Sequence, residues 1–459
     1  MKSAKKIYFI IGFSALLFPW ILSFTSINQA DFYSLTLQND ERKEKPTFDW
    51  SYLFGDSLEV KKEWNGSIYR KADWNTRDSL IENYFNQLSD YYNSRFGLRA
   101  LYVRARNQID YTLFNKANAN SVVIGKEAFL FEDTYIDSYY GKDFIGHQAV
   151  EARVDSLHKI QKILNASGKY MLVVIAPGKG FYYPEYIPES LKSEKTTTNY
   201  EVYKSELEKK GVEFIDFNCY FLENKNKSEH TLYPKTGIHW SQAAVYDVLD
   251  SLVNKIESNT NFDLPEISIG GQEKLERSIG YQDDDIELGM NLLFDMEHLP
   301  MSYPKLKFGS KEGKSKVKAL TISDSFFWQI YKLGVRDSLF HTNDFWFYNN
   351  AIYPESDLSG RFVFTHEKNI LNELMQNDVI ILMTTEANLY KFPFGFSKTA
   401  YPELVTGFEQ YEKRIAEILQ SMRDNEDWLK KINEKAIEKG ISLEEMMQLD
   451  ADYIYENNK

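Results

Sequence analysis

Val317-Lys318-Ala319-Leu320-Thr321-Ile322-Ser323-Asp324-Ser325-Phe326-Phe327-Trp328 reads as a buried strand that runs into a turn and then a helix. Such a junction lifts a side chain to the carboxyl end of a sheet, where open α/β folds keep their chemistry. The chain around it alternates in the same way. Residues 171–176 and 379–383 are continuous apolar runs, as strands of a parallel sheet covered on both faces require. Further strands are expected at 212–217 and 344–348. Helical periodicity fills 148–164, 200–210, 241–256 and 367–376, and a helix is expected from Phe326. Strands alternating with helices predict an α/β fold with a parallel sheet flanked by helices.

Ser325 stands at the end of this decisive strand. A serine hydroxyl is a weak nucleophile until a base takes its proton. A histidine suited to that task lies upstream in Thr236-Gly237-Ile238-His239-Trp240, at the mouth of the 241–256 helix. Together the two segments suggest acyl transfer through a serine ester. The plainer readings are that Ser323, Asp324 or Ser325 caps the following helix, and that His239 makes an ordinary polar contact. A literal Gly55-Asp56-Ser57-Leu58 string precedes the α/β region and follows no clean strand, so Ser57 reads as a loop or helix-cap residue.

The bulk properties exclude several classes. A net charge of −13 offers nothing to nucleic acid or to an anionic membrane surface. Cys219 is the single cysteine, which excludes an intrachain disulfide framework and any CxxC site. Glu297-His298, His341 and the acidic run Asp283-Asp284-Asp285 lack zinc-ligand spacing, and no phosphate-cradling glycine loop is present, so neither metal nor cofactor is expected. The acidic run reads as a solvated loop. The 31 Tyr and 31 Phe read mostly as core, with a share available to stack on sugars.

The length of 459 residues allows two to three domains of roughly 150 residues each. Lys2, Lys5 and Lys6 precede an uncharged apolar run over 7–24. Positive flank and length favour a retained membrane anchor over a cleaved signal peptide, with the remainder outside the cytoplasm. The expected organisation is an anchor over 1–26, a tether and helical lead-in over 27–116, an α/β domain over 117–400, and a helical C-terminal segment over 401–459. The lead-in reads as largely helical from Ser57, with Leu80, Tyr84 and Leu88, then Leu101, Ala105, Ile109 and Leu113, at three- and four-residue spacing. A hairpin is expected across 122–131. Residues 258–316 read as a polar, irregular insertion.

Several short motifs in this order resemble the alginate O-acetyltransferase group of SGNH-hydrolase-like proteins, the AlgX/AlgJ type. They are Asn93-Ser94-Arg95-Phe96-Gly97-Leu98-Arg99, Val122-Val123-Ile124-Gly125-Lys126-Glu127-Ala128-Phe129-Leu130-Phe131, and Pro177-Gly178-Lys179 with Tyr183-Pro184-Glu185 and Ile187-Pro188. The histidine segment and the Asp324-Ser325 segment follow. The histidine block precedes the serine block, as in that group, and the likeness spans roughly residues 90–400.

The resemblance implies an SGNH-like fold with Ser325 as nucleophile and His239 as base. It implies an O-acetyltransferase that acts on a surface or secreted polysaccharide, supplied with acetyl by a membrane-bound O-acyltransferase partner. The location implied is the cytoplasmic (inner) membrane, crossed once, with the α/β domain on the extracytoplasmic side. In the group an acid lies two residues before the histidine, and that position here is Gly237. Glu386 is a candidate to orient His239 instead. Asn349 and Asn388 are candidate oxyanion donors, and Lys179, Trp240, Trp346 and Tyr348 are candidate substrate contacts. A deacetylating esterase and a non-catalytic polysaccharide-binding or scaffold protein stay open as alternatives.

Overall fold

The computed structural model describes residues 57–61, 67–71, 82–89, 99–275 and 283–457. The apolar run at 7–24 lies outside the described residues. Among the described residues, no helix is long and apolar enough to cross a membrane.

The chain divides into two compact units. One comprises the residues up to Asn118 together with Asn291–Asp295. It opens with an antiparallel pair, β1 (Ser57–Lys61) and β2 (Ser67–Lys71), where helix was expected. Ser57 is thus the first residue of a strand. Helices follow over 82–89 and Arg99–Phe114, and Arg104 Nε donates to the Leu292 carbonyl at 2.7 Å.

The second unit, Ala119–Met290 with Met296–Lys459, holds the sheet. The hairpin β3 (Val122–Ile124) and β4 (Leu130–Glu132) stands where the sequence placed it, with Glu127 and Ala128 at positive φ in its turn. The main sheet contains β5 (Tyr170–Ala176) and β6 (Phe214–Asp216). Two further strands, β7 (Ile267–Leu275) and β8 (Met301–Phe308), form a separate antiparallel pair. The main sheet is completed by β9 (Lys318–Ser323), β10 (Thr342–Phe347), β11 (Ala351–Tyr353) and β12 (Val379–Thr385). Its order is β11-β10-β9-β12-β5-β6, and every neighbouring pair is parallel except β10 with β11.

All seven residues of β5 and all seven of β12 are buried. Their apolar runs, 170–176 and 379–383, follow from helices covering both faces of the sheet. The helix His147–Ala166 shows how: Val150, Val154, Leu157, Ile160 and Leu164 form one stripe and are fully buried in the core shared with Met171, Val173 and Ile175. The helix Asn199–Lys210 starts with a capping box, Thr198 with Glu201, and stops at Gly211, whose φ of 65° suits glycine. The chain closes with three helices, Phe396–Arg423, Glu426–Lys439 and Leu443–Asn457, which share a core around Met422, Ile432 and Met447.

The stretch 258–316 is more ordered than its sequence suggests. Besides β7 and β8 it contains the helix Asp285–Met290. The acidic run is no solvated loop: Asp283 is fully buried, burial drives its carboxyl well above the usual range, and Asp285 begins the helix.

Candidate active site

The carboxyl edge of the sheet gathers the chemistry. β9 ends at Ser323, paired with Phe347 of β10 and Met383 of β12. Asp324 and Ser325 follow directly, and Tyr348 and Asn388 emerge beside them from the ends of β10 and β12. Asp324 is fully buried and accepts four hydrogen bonds. Its Oδ2 takes the Thr385 N–H, the Thr385 hydroxyl and the Asn388 amide, each at 2.8 Å, and its Oδ1 takes the Phe326 N–H at 3.2 Å. The bonds to Thr385 and Asn388 tie the tip of β9 to the tip of β12. The sequence offered Asp324 as a possible cap of the following helix; its hydrogen bonds fix where Ser325 stands.

His239 reaches Ser325 from the segment before the helix Gln242–Asn259. Its Nε2 lies 2.9 Å from Ser325 Oγ. Three features hold this segment. The Tyr233 hydroxyl donates to the Ile238 carbonyl at 2.6 Å. Lys179, fully buried at the end of β5, donates to the carbonyls of Lys235 at 2.9 Å and Gly237 at 2.5 Å. Trp240 is fully buried and packs edge-on against Phe326, the residue after Ser325.

The group that orients the imidazole is Asp285. Its Oδ2 lies 2.5 Å from His239 Nδ1, and its Oδ1 accepts the Ile238 N–H at 2.8 Å. The carboxylate beside the imidazole thus comes from 46 residues beyond the histidine. Its helix is anchored twice more. The Glu287 N–H donates to the Thr236 carbonyl at 3.2 Å, and the Glu287 carboxylate accepts from the Met296 N–H at 2.6 Å and pairs with His298 at 2.7 Å. Ser325, His239 and Asp285 form a hydroxyl–imidazole–carboxylate relay, the arrangement that serves acyl transfer on several unrelated folds.

The other sequence candidates divide. Glu386 does not orient His239. It is fully buried, accepts the Ser138 hydroxyl at 2.7 Å, and burial pushes its carboxyl up to about 8. Asn349 spends its amide on the Phe394 carbonyl at 3.2 Å and does not line the site. Asn388 lines it, with one amide proton committed to Asp324. Tyr348 also lines it, at a strained φ of 51°, with its N–H on the Ser323 carbonyl at 2.8 Å. Trp240 and Trp346 are core residues at 0% and 1% exposure, because the strand and loop that carry them turn those rings inward, and neither presents a face to a ligand. Lys179 is likewise shut away from solvent. Burial brings its ammonium down to about 7, against the opposing fields of Asp285 and Glu132.

A cleft of about 470 Å³ opens onto Ser325 and His239. Besides Tyr348 and Asn388, its walls include Asn120, Glu132, Tyr390 and Lys391, none of which the sequence marked. Burial raises the Glu132 carboxyl and Asp285 adds to the rise, while His239 and Lys391 partly offset it. Lys391 Nζ sits 4.7 Å from the centre of the Tyr348 ring. Among the described residues, no group of three or more His, Cys, Asp or Glu side chains is placed to hold a metal ion.

Fold and site together define the class: an α/β domain with a serine–histidine–aspartate relay at the carboxyl edge of its sheet. Residues 122–269 match the family model described as "SGNH hydrolase-like domain, acetyltransferase AlgX". That stretch is similar to the AlgX/AlgJ type, the group its motifs resemble. A curated relative, "Probable alginate O-acetylase AlgJ" of Pseudomonas aeruginosa, is 24% identical over 175 residues, 38% of this chain and 43% of the relative. Its namesake in Pseudomonas syringae pv. tomato is 22% identical over 151 residues, 33% of this chain and 37% of the relative. The chain thus spans less than half the length of the curated relatives it matches. Among solved structures, the O-acetyltransferase domain of Pseudomonas putida AlgJ aligns over 61% of this chain and 99% of that one, at 13% identity and a TM-score of 0.42. Bacillus cereus PatB1 aligns over 58% and 96%, at 13% identity and a TM-score of 0.38.

Proposed function

We propose that this protein is an O-acetyltransferase that moves acetyl groups onto hydroxyls of a polysaccharide through an acetyl ester of Ser325. The relay from Asp285 through His239 to Ser325 carries this reading, and the likeness to proteins named as acetyltransferases supports the choice of acyl group.

In the first half-reaction His239 Nε2 takes the proton of Ser325 Oγ as that oxygen attacks the acetyl carbonyl of the donor. Asp285 keeps the proton on Nδ1, so Nε2 is free to accept, and it stabilises the imidazolium that forms. The tetrahedral intermediate collapses, the donor's leaving group takes the proton from His239, and acetyl-Ser325 results. The Ser325 N–H and the second amide proton of Asn388 are the proposed donors to the carbonyl oxygen as it gains charge. In the second half-reaction a sugar hydroxyl gives its proton to His239 and attacks the ester. Ser325 leaves as an alcohol, taking that proton back. The donor is a membrane-bound O-acyltransferase partner, and the lysine-flanked apolar run at 7–24 anchors the chain in the cytoplasmic membrane with the catalytic unit outside.

The test is intact-mass spectrometry of the full chain after exposure to an activated acetyl ester. One added acetyl group is expected on the wild type and none on Ser325→Ala, while His239→Ala acetylates far more slowly. Sugar acceptors then discharge the ester faster than water does if the protein is a transferase. A folded wild type that gains no acetyl group and turns over no ester would overturn the reading in favour of a binding or scaffold role.

A further inference from the structure

We propose that the acceptor residue is a sugar without a carboxylate, and that Glu132 makes this selection. The inference rests on the transferase reading of the same cleft and names its substrate class.

Among the described residues, the charged side chains on the cleft wall are Glu132, Asp285 and Lys391, beside His239, and no arginine lines it. Asp285 is spoken for, since one oxygen takes the Ile238 N–H and the other faces His239. Lys391 is turned toward the faces of Tyr348, at 4.7 Å, and Tyr390, at 5.4 Å. Glu132 is different. It precedes the helix Asp133–Tyr140 without capping it, and its carboxylate takes no hydrogen bond from any described residue.

A half-buried carboxylate without a protein donor, on the wall of the cleft that exposes the nucleophile, suits a ligand that brings the donor. A sugar hydroxyl is such a group. A uronate carboxylate offers no proton there and meets two like charges, Glu132 and Asp285, against one ammonium. The chain's net charge of −13 adds a repulsive long-range field for any polyanion. Polyuronates such as alginate are therefore disfavoured, whatever the named substrate of the relatives.

The experiment measures acetyl transfer from acetyl-Ser325 of the full chain to a neutral trisaccharide and to a trimannuronate, compared as a ratio so that losses common to both cancel. The wild type is expected to prefer the neutral acceptor by about tenfold at low salt, the factor for two like unit charges about 6 Å apart at an effective dielectric constant of about 40. Added salt narrows the ratio. Glu132→Gln is expected to narrow it and Lys391→Met to widen it. Equal or better use of trimannuronate by the wild type, or a ratio unmoved by Glu132→Gln, overturns the inference and leaves the transferase reading standing. Acetyl-Ser325 that forms but passes to neither acceptor faster than to water removes the transferase reading and this inference with it.

Discussion

Replacing Asp285 with asparagine keeps the size of the side chain and removes its charge at the point where His239 becomes cationic. The carboxylate oxygen lies 2.5 Å from Nδ1, and the Asp285 side chain is 26% exposed, so its field is only partly screened. Charge centres about 4 Å apart at an effective dielectric constant of about 20 attract by about 4 kcal/mol. Removing that attraction slows proton transfer from Ser325 by about 10³. The amide adds a second defect. If its N–H turns to Nδ1, the imidazole proton moves to Nε2 and the base loses its lone pair toward Ser325. Asp285→Asn should therefore acetylate at least about 10³-fold more slowly, read as the burst of nitrophenol from nitrophenyl acetate beside the mass of the acetyl-enzyme. Glu386→Gln is the control, since that carboxyl touches Ser138 and not His239, and it should keep its burst. A loss below about tenfold in a folded Asp285→Asn protein would mean that another group orients the histidine, and the relay as drawn would be wrong.

Two buried groups give stability signatures of opposite sign. The folded pKa of Lys179 is about 7 against an ordinary 10.5, so between those values the unfolded chain holds a proton that the folded one lacks. Its contribution to stability rises with pH across that window, by about 1.4 kcal/mol per unit. Denaturant unfolding at pH 7 and pH 9 should show the wild type gaining about 2–3 kcal/mol relative to Lys179→Met, and parallel curves would refute the assignment. For Glu386 the folded value is about 8 against an ordinary 4.5, so the folded chain holds the extra proton and its contribution falls as pH rises through that range. Glu386→Gln should gain on the wild type from pH 5 to pH 8 by about the same slope, and the gain should vanish below about pH 4.5.

The sheet was legible because its strands announce themselves. Strands buried on both faces are rich in apolar residues, and 171–176 and 379–383 are apolar throughout while 317–322 is interrupted only by Lys318 and Thr321, so they foretold β5, β9 and β12 to within two residues at either end. The helices over 148–164, 200–210 and 241–256 were equally plain from their apolar periodicity, the first two with a glycine near the end, Gly168 and Gly211. β1, β2, β7 and β8 were missed, since two-stranded pairs carry no two-sided burial to mark them. At the site, Ser325 and His239 came from local context, but Asp285 did not. Its partner is 46 residues away, and the only sign was an acidic run whose usual meaning is solvation. The buried fates of Trp240, Trp346 and Lys179 were hidden for a related reason, since polarity and size do not reveal which way a turn will point a side chain.

Carrying the acid on a separate six-residue helix gives the relay two grades of permanence. Ser325 is bolted to the sheet through Asp324 and shares the lifetime of the core. Asp285 is bound by a few hydrogen bonds to residues 236–239 and by the Glu287–His298 pair. Local opening of that helix costs far less than global unfolding. Ser325 thus keeps its place in a folded molecule even at moments when His239 has lost the carboxylate beside it.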